Sequence, residues 1–399
     1  MTSLAPAPRP LSTDPPAAVA HLGTFPPTQC GLATFGAALL DAMSVVQPSR
    51  RVGVVDVVDQ SRPLPLRAGA QLVNGQRDSL QRCIAFIDDH DALVVEHEFG
   101  IFGGPDGDEV LELLGKVTVP VMSVLHTVPA DPTCHQRVVL EQVAALSGAV
   151  VVMSNAARDR LLDSYRVGPA SLHVVPHGAR VNPPRPGERD GAHRPTVLTW
   201  GLLGPGKGIE QAIDSMAVVR HLIPLPRYVI AGQTHPKVLA QSGEAYRDEL
   251  RERVRRLGLD DIVEFDDEYR DLDSLALLVR SADVVLLPYE NREQVTSGVL
   301  VEAVASERPV VATAFPHACE LLSDGAGIVV DHGDAESLGL AVATILTRPR
   351  IAEAMQMRAR RLASSLAWPS VARRYGEIVD QMVNAQGGRH AGPEAVQVA

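Results

Sequence analysis

A lone lysine in a glycine-dense turn offers this chain its clearest chemistry. The segment Thr196 to Glu210 reads TVLTWGLLGPGKGIE, an apolar strand running straight into the turn. Backbone N–H groups around Gly201, Gly204, Gly206 and Gly208 can approach an anion closely there. The helix opening near Ile209 aims the positive end of its dipole at the same point. Lys207 supplies the formal charge. It is one of three lysines (Lys116, Lys207, Lys237) among 37 basic residues, so its place in this turn is selective. The arrangement suits a diphosphate.

Spacing separates the phosphate loops that compete for this stretch. Gly201 to Lys207 fits the first seven positions of G-x-x-x-x-G-K-[ST], but Gly208 stands where an NTPase needs a magnesium-ligating hydroxyl. The dinucleotide pattern G-x-G-x-x-G fails too, because Leu203 follows Gly201-Leu202 and Ile209 falls where the last glycine of Gly204-Pro205-Gly206 belongs. A nucleoside diphosphate held without a metal remains.

A second constellation lies downstream. Ala282–Tyr289 reads as a buried strand, Glu290–Ser297 as a polar loop and Gly298–Ser306 as a helix. The free N–H groups at Gly298 and Val299 suit phosphate oxygens. Glu302, one turn further on, follows the apolar run Val299-Leu300-Val301, where an unpartnered charge is costly. Such a carboxylate can accept both hydroxyls of a ribose.

These residues need two parallel sheets to position them. In the first half, strands are expected at 51–58, 92–96, 119–125, 148–153 and 172–175, with helices at 34–45, 106–115, 134–146 and 155–165. Asn182–Arg194, rich in proline, glycine and charge, reads as a linker. Strands at 196–200, 227–231, 262–265, 283–288, 309–314 and 327–330 then alternate with helices at 209–221, 244–257, 272–281, 298–306 and 335–346. The expected organisation is a proline-rich disordered tail over 1–19, Rossmann-like α/β domains over 20–185 and 186–365, a helix over 366–386 crossing back to the first domain, and a flexible tail over 387–399. That helix should be interrupted at Pro369, with Trp368 and Tyr375 on one face. A ligand belongs in the cleft between the carboxyl ends of the two sheets.

Composition excludes several classes. The net charge is −11 and neither half is basic, so nucleic acid is not an expected partner. No apolar run reaches the roughly 20 residues of a membrane span, and the amino-terminal segment lacks a secretory apolar core. Cys30, Cys83, Cys134 and Cys319 show no C-x-x-C spacing, which speaks for a reducing compartment and against a zinc site. A cytoplasmic protein is expected.

Taken in order, TFPPTQCGLATF, HEFGIFGG, LHT, VPHG, GLLGPGKG and SGVLVEAVASERPVVAT resemble the retaining GT-B glycosyltransferases of family 4. The resemblance covers about residues 20–380 and is nearest to bacterial members opening with P-P-x-x-C-G-[IL]-A-T-F. It implies transfer of a hexose from a nucleoside diphosphate sugar to a hydroxyl of a saccharide or other small acceptor. GDP-mannose and UDP-glucose are the first donors to try, and no resident cofactor or metal is implied. The implied catalytic set is His126, Lys207 and Gln294. Gly31, Gly204, Gly206, Lys207, Ser297, Gly298, Val299 and Glu302 would hold the donor. His97, Glu98 and Gly100 would shape the acceptor pocket, with His135 and His177 as lesser candidates.

Two departures from the family pattern stand out. Gln294 occupies the position of a customary glutamate, and Leu202 that of a customary arginine. The D-x-D pair Asp106 and Asp108 is read as helix-start acids that complement the macrodipole. A glycosidase needs two flanking carboxylates and is disfavoured. A nucleotide-sugar epimerase or a non-catalytic binder of the same fold stays open, and a P-loop NTPase is the weakest reading.

Overall fold

The computed structural model describes residues 16–183, 194–268 and 270–390. Most of the expected linker, the first fifteen residues and 391–399 lie outside the described residues. The first domain runs β1 (Val19–Gly23), α1 (Gly31–Val46), β2 (Val52–Val58), β3 (Ala68–Val73), α2 (Arg77–Asp88), β4 (Ala92–His97), α3 (Glu109–Leu114), β5 (Val121–Leu125), α4 (Cys134–Ala145), β6 (Ala149–Val152), α5 (Asn155–Ser164) and β7 (Leu172–Val174). Its parallel sheet has the order β3-β2-β1-β4-β5-β6-β7. The strands read as apolar runs because helices cover both faces; β1, β4, β5 and β6 are buried along their whole length.

The second domain runs β8 (Thr196–Trp200), α6 (Ile209–Val219), β9 (Arg227–Ala231), α7 (Pro236–Ser242), α8 (Ala245–Leu257), β10 (Val263–Asp266), α9 (Leu272–Ser281), β11 (Val284–Leu287), α10 (Gly298–Ala305), β12 (Val310–Thr313), α11 (Pro316–Leu321), β13 (Gly327–Val330), α12 (Ala335–Thr347) and α13 (Pro349–Leu366). Its parallel sheet has the order β10-β9-β8-β11-β12-β13. Strand order reverses between β1 and β4 in one sheet and between β8 and β11 in the other, and ligands of open α/β sheets bind at such switch points. The segments leaving those four strands carry the motifs read from the sequence. Among the described residues no helix is long and apolar enough to cross a membrane.

Strands β1 and β3 and helices α2, α7, α11 and α13 fall outside the sequence expectations. β1 is VAHLG, short and broken by a histidine, while α2 carries its buried side of Leu80, Cys83 and Ile87 at helical spacing within a polar sequence. The final helix, α14 (Trp368–His390), continues four residues into the segment expected as a tail. Its break from α13 falls at Ala367, which is extended, and not at Pro369. Pro369 sits in the first turn of α14, where a missing N–H breaks no helical bond.

Helix α14 belongs to the first domain's core. Val371, Ala372, Tyr375, Ile378 and Val379 pack with Phe35, Leu39 and Met43 of α1, and Arg50 donates to both Asp380 oxygens at 2.9 and 2.8 Å. The two chain crossings between domains are themselves bonded. Ala179 N–H donates to Leu366 at 2.8 Å and Trp368 N–H to Ala179 at 3.1 Å. Tyr375→Ala should lower the unfolding free energy by about 3–5 kcal/mol, the usual loss for a large buried aromatic. Arg373→Ala, on the exposed side of the same helix, should stay within about 0.5 kcal/mol. Urea denaturation of both variants checks this.

Candidate functional site

The turn between β8 and α6 is shaped by backbone that only glycine tolerates. Gly208, the residue before α6, has φ 68°, and a Cβ there would stand 1.8 Å from the Pro288 carbonyl oxygen. The turn is therefore pressed against the segment leaving β11, and Glu290 N–H donates to Gly206 at 3.0 Å. Lys207 is half-buried, and its ammonium lies 5.0 Å from the centre of the Tyr289 ring. Burial pulls its pKa below the usual lysine value. No carboxylate of a described residue pairs with it, so its charge is open to a ligand.

The facing wall is the loop from β11 to α10. Ser297 caps α10 by accepting from Leu300 N–H at 3.2 Å, which leaves the N–H groups of Gly298 and Val299 at the open end of the helix. Ser297 N–H donates at 2.9 Å to His317 Nδ1, an acceptor because burial keeps that ring near pKa 4. Glu302 is half-buried and receives a hydrogen bond from the Trp200 side chain. Burial outweighs that bond and raises its carboxyl to about 7. Gln294 Nε2 donates to the Thr296 carbonyl at 2.9 Å, and the Gln294 backbone carbonyl accepts from His317 N–H at 3.3 Å. Lys207, the open end of α10, Glu302 and Gln294 thus flank one switch point, with Gly204 and Gly206 in the facing turn.

In the first domain, the residues after β1, β4 and β5 meet the same cleft. Gly31 opens α1 and is exposed; a Cβ there would meet nothing within 4 Å. His126, just past β5, donates from Nε2 to Glu96 at 2.6 Å, and His21 of β1 donates to the other Glu96 oxygen at 3.1 Å. Glu96 is fully buried. Burial alone would raise its carboxyl, but the two histidine bonds and charges prevail and hold it near 2, as a carboxylate. The His126 side chain keeps 12% of its surface exposed. With Nε2–H committed to Glu96, Nδ1 is the His126 atom that can meet a ligand.

Other first-domain placements differ from expectation. His97 does not line an acceptor pocket. Successive strand residues face opposite sides, so as Glu96 points to His126, His97 points into the core against Phe99 and Phe102, and burial lowers it to about 4. Glu98 is half-buried and accepts from the Thr127 hydroxyl and from Phe99 N–H, which fixes its own loop. Gly100 is exposed, and the Lys237 ammonium of the second domain comes within 3.9 Å of where its Cβ would stand. Asp106 and Asp108 do stand at helix starts, Asp106 in a short 3-10 turn and Asp108 at the N-cap position of α3, but neither side chain caps an N–H; both pair with exposed His135 at 3.0 and 3.4 Å. Among the described residues no group of three His, Cys, Asp or Glu side chains is placed to hold a metal ion.

Sequence reasoning passed over Glu96 and His21 and undervalued His177. Phe35 meets His126, His177 and Trp368 edge-on at ring separations of 5.0, 4.9 and 5.2 Å, forming an aromatic floor beneath the cleft. His177 Nδ1 donates to the Gly178 carbonyl at 2.6 Å, and its Nε2 would stand 2.8 Å from a Cβ at Gly298. The start of α10 must therefore be glycine for the domains to approach. The available signal was Glu96 itself, a carboxylate inside the apolar run ALVVEH.

Residues 186–362 match the family model described as glycosyl transferases group 1. The chain is 30% identical over 267 residues to the D-inositol 3-phosphate glycosyltransferase of Kineococcus radiotolerans, covering 61% of this chain and 59% of that protein. It is 26% identical over 242 residues to the mannosylfructose-phosphate synthase of Agrobacterium fabrum, covering 58% and 52%. The matched part thus spans little more than half of these relatives. In structure the chain resembles sucrose-phosphate synthase from Thermosynechococcus elongatus (TM-score 0.74, 19% identity, 92% of this chain and 99% of that one). It also resembles Anabaena Alr3699/HepE in complex with UDP-glucose (TM-score 0.69, 17% identity, 93% and 100%).

The Glu96 cluster sets an acid response. Its carboxyl lies near 2 folded against an ordinary 4.5, so the stability it contributes is complete above 4.5 and disappears as the pH falls towards 2. Unfolding titrations at stepped pH should show Glu96→Gln less stable than the parent at pH 7, with a shallower further loss through that acid window. Parallel curves would remove Glu96 from the acid response.

Proposed function

We propose that this chain, which has the GT-B fold and matches the glycosyl transferases group 1 model through residues 186–362, is a retaining hexosyltransferase. It moves a hexose from a nucleoside diphosphate sugar to a hydroxyl of a saccharide or other small acceptor. The observation that carries this reading is Lys207, a cation with no carboxylate partner among the described residues, set opposite the open N-terminus of α10 with Glu302 one turn beyond. Such a pairing complements a diphosphate followed by a ribose.

The chemistry is departure of the nucleoside diphosphate. Negative charge grows on the leaving oxygen, and Lys207 with the Gly298 and Val299 N–H groups stabilises it. The acceptor oxygen bonds to the anomeric carbon from the face the phosphate leaves. A phosphate oxygen takes the acceptor's proton, and the anomeric configuration is retained. Gln294 hydrogen-bonds the transferred sugar without carrying charge, and His126 Nδ1 orients one of its hydroxyls. Lys207 and the N-terminus of α10 supply the positive field, so no step needs a metal or a resident cofactor.

UDP-glucose, present in a structural neighbour, and GDP-mannose are the donors to test first. Lys237, without a carboxylate partner among the described residues and facing Gly100, favours an anionic acceptor, and one relative is named for a phosphorylated substrate and another for a phosphorylated product. Sugar and polyol phosphates therefore belong in the acceptor panel. Mass spectrometry of donor and acceptor mixtures separates transfer from epimerisation, donor hydrolysis and mere binding; absence of any glycosylated product across the panel counts against the reading.

Two variants probe the parts. Lys207→Ala should lower kcat by about 10²-fold or more while nucleotide affinity changes less, because the charge it meets is greatest in the transition state. A normal kcat with a raised KM would assign Lys207 to ground-state binding. Glu302 titrates near 7, and only its carboxylate accepts both ribose hydroxyls, so UDP or GDP affinity should rise between pH 6 and 8. Calorimetry should show Glu302→Gln binding more weakly at pH 8 and with a flatter pH dependence.

A further inference from the structure

Glu293 and Val295, the neighbours of Gln294, are bonded to the first domain. Val295 is 4% exposed and packs in the first domain's core cluster with residues such as Val128, Ala157 and Leu161. The Ser154 hydroxyl, ahead of α5, donates to the Val295 carbonyl at 2.6 Å while accepting from Ala157 N–H at 3.0 Å. Arg160, one and a half turns into α5, donates from Nη1 to the Glu293 carbonyl at 2.9 Å and to the Val128 carbonyl at 2.8 Å. Its Nη2 pairs with the Glu293 carboxylate at 3.0 Å. Beside this, Glu320 of α11 accepts from Asn155 N–H at 2.9 Å, Asn155 Nδ2 at 2.7 Å and Ala156 N–H at 2.9 Å, capping α5 from the other domain. The Glu293 and Val295 carbonyls on either side of Gln294 are therefore held from the first domain, while the Gln294 backbone carbonyl between them accepts from His317 N–H of α11 at 3.3 Å.

The nucleotide contacts are built differently. Lys207, Tyr289, the start of α10 and Glu302 are all second-domain groups, and the bonds that hold the turn and the Ser297 cap stay within that domain. We infer that Arg160 and Ser154 are positioning residues, and that docking of α5 onto residues 293–295 sets Gln294 against the donor sugar. The second domain can thus bind the nucleotide by itself, whereas the sugar is aligned only when the domain carrying the acceptor is seated. This rests on the transferase reading for its chemical consequence and on the contacts alone for its structural one. A misplacement of about 1 Å at a reacting centre is enough to lose about 10²-fold in rate.

Arg160→Met removes the forked donor at similar bulk, and Arg160→Lys restores the charge but not the fork. Ser154→Ala is less informative because it also removes the α5 cap. With UDP-glucose or GDP-mannose as donor, Arg160→Met should lower kcat at least 10-fold while UDP and GDP affinities by calorimetry stay within twofold, and Arg160→Lys should recover part of the rate. Hydrogen exchange provides a readout that needs no substrate: amides 293–297 should exchange at least 10-fold faster in Arg160→Met, and amides 204–210 should not change. Unchanged exchange at 293–297 overturns the clamp whatever the activity. A fall in nucleotide affinity that tracks the fall in kcat overturns it in favour of a general structural role. Failure of the parent protein to bind either nucleotide or transfer either sugar, with exchange altered as expected, would sink the transferase reading and leave the clamp standing.

Discussion

An unshared positive charge in a partly buried turn is the constraint on which the second domain depends. Lys207 is desolvated enough for its pKa to fall, yet no described carboxylate neutralises it. Its local companion is the electron-rich face of Tyr289, which attracts a cation without competing for it as an ion pair would. The turn must then stay tight while bearing a charge that invites water. Gly208 permits the tightness through its left-handed backbone and its contact with Pro288, and the Glu290 to Gly206 bond ties the turn to the opposite loop. An acid beside Lys207 would stabilise the empty protein and weaken the site.

The first domain solves the opposite problem. Glu96 is an anion with no exposure, a situation that costs several kcal/mol unless it is paired and hydrogen-bonded. Two histidines, one from β1 and one beyond β5, each give it an Nε2–H bond, so three strands are stitched together across the switch point. The same bonds orient His126 towards the cleft. Stability and orientation come from one cluster, and neither can be altered alone.

These two sites face each other because the domains share structure at three places. Helix α14 returns to the first domain's core, the linker at Ala179 is bonded to the α13–α14 junction, and Val295 enters the first domain's core next to α5. The first two lie where the chain crosses and can act as a hinge. The third lies in the loop that carries Gln294, so relative movement of the domains is felt at that residue. His177 pressed against Gly298 makes the same point from the cleft floor.

The amino-acid sequence by itself determined the alternation of strands and helices, the division into two α/β units, and the donor motifs. Each of these is local: Lys207, the α10 start and Glu302 lie within short strand–turn–helix units whose side-chain periodicity is visible along the chain. Gln294 was legible as a position eight residues before Glu302, but its neighbour Glu293 carried no sign that it pairs with Arg160, 133 residues away. His97 shows the limit on one strand. Its alternation with Glu96 was readable, but which of the two faced the cleft was decided by helices packed on either side of the sheet. The short β1 was missed because its stability comes from pairing with β2 and β4 and not from its own composition. Tertiary structure alone decided the Glu96–His126–His21 cluster, the return of α14 and the seating of Val295 in the other domain. All three join residues far apart in sequence, and long-range contacts are stabilised by burial and hydrogen bonds that exist only once both partners are in place.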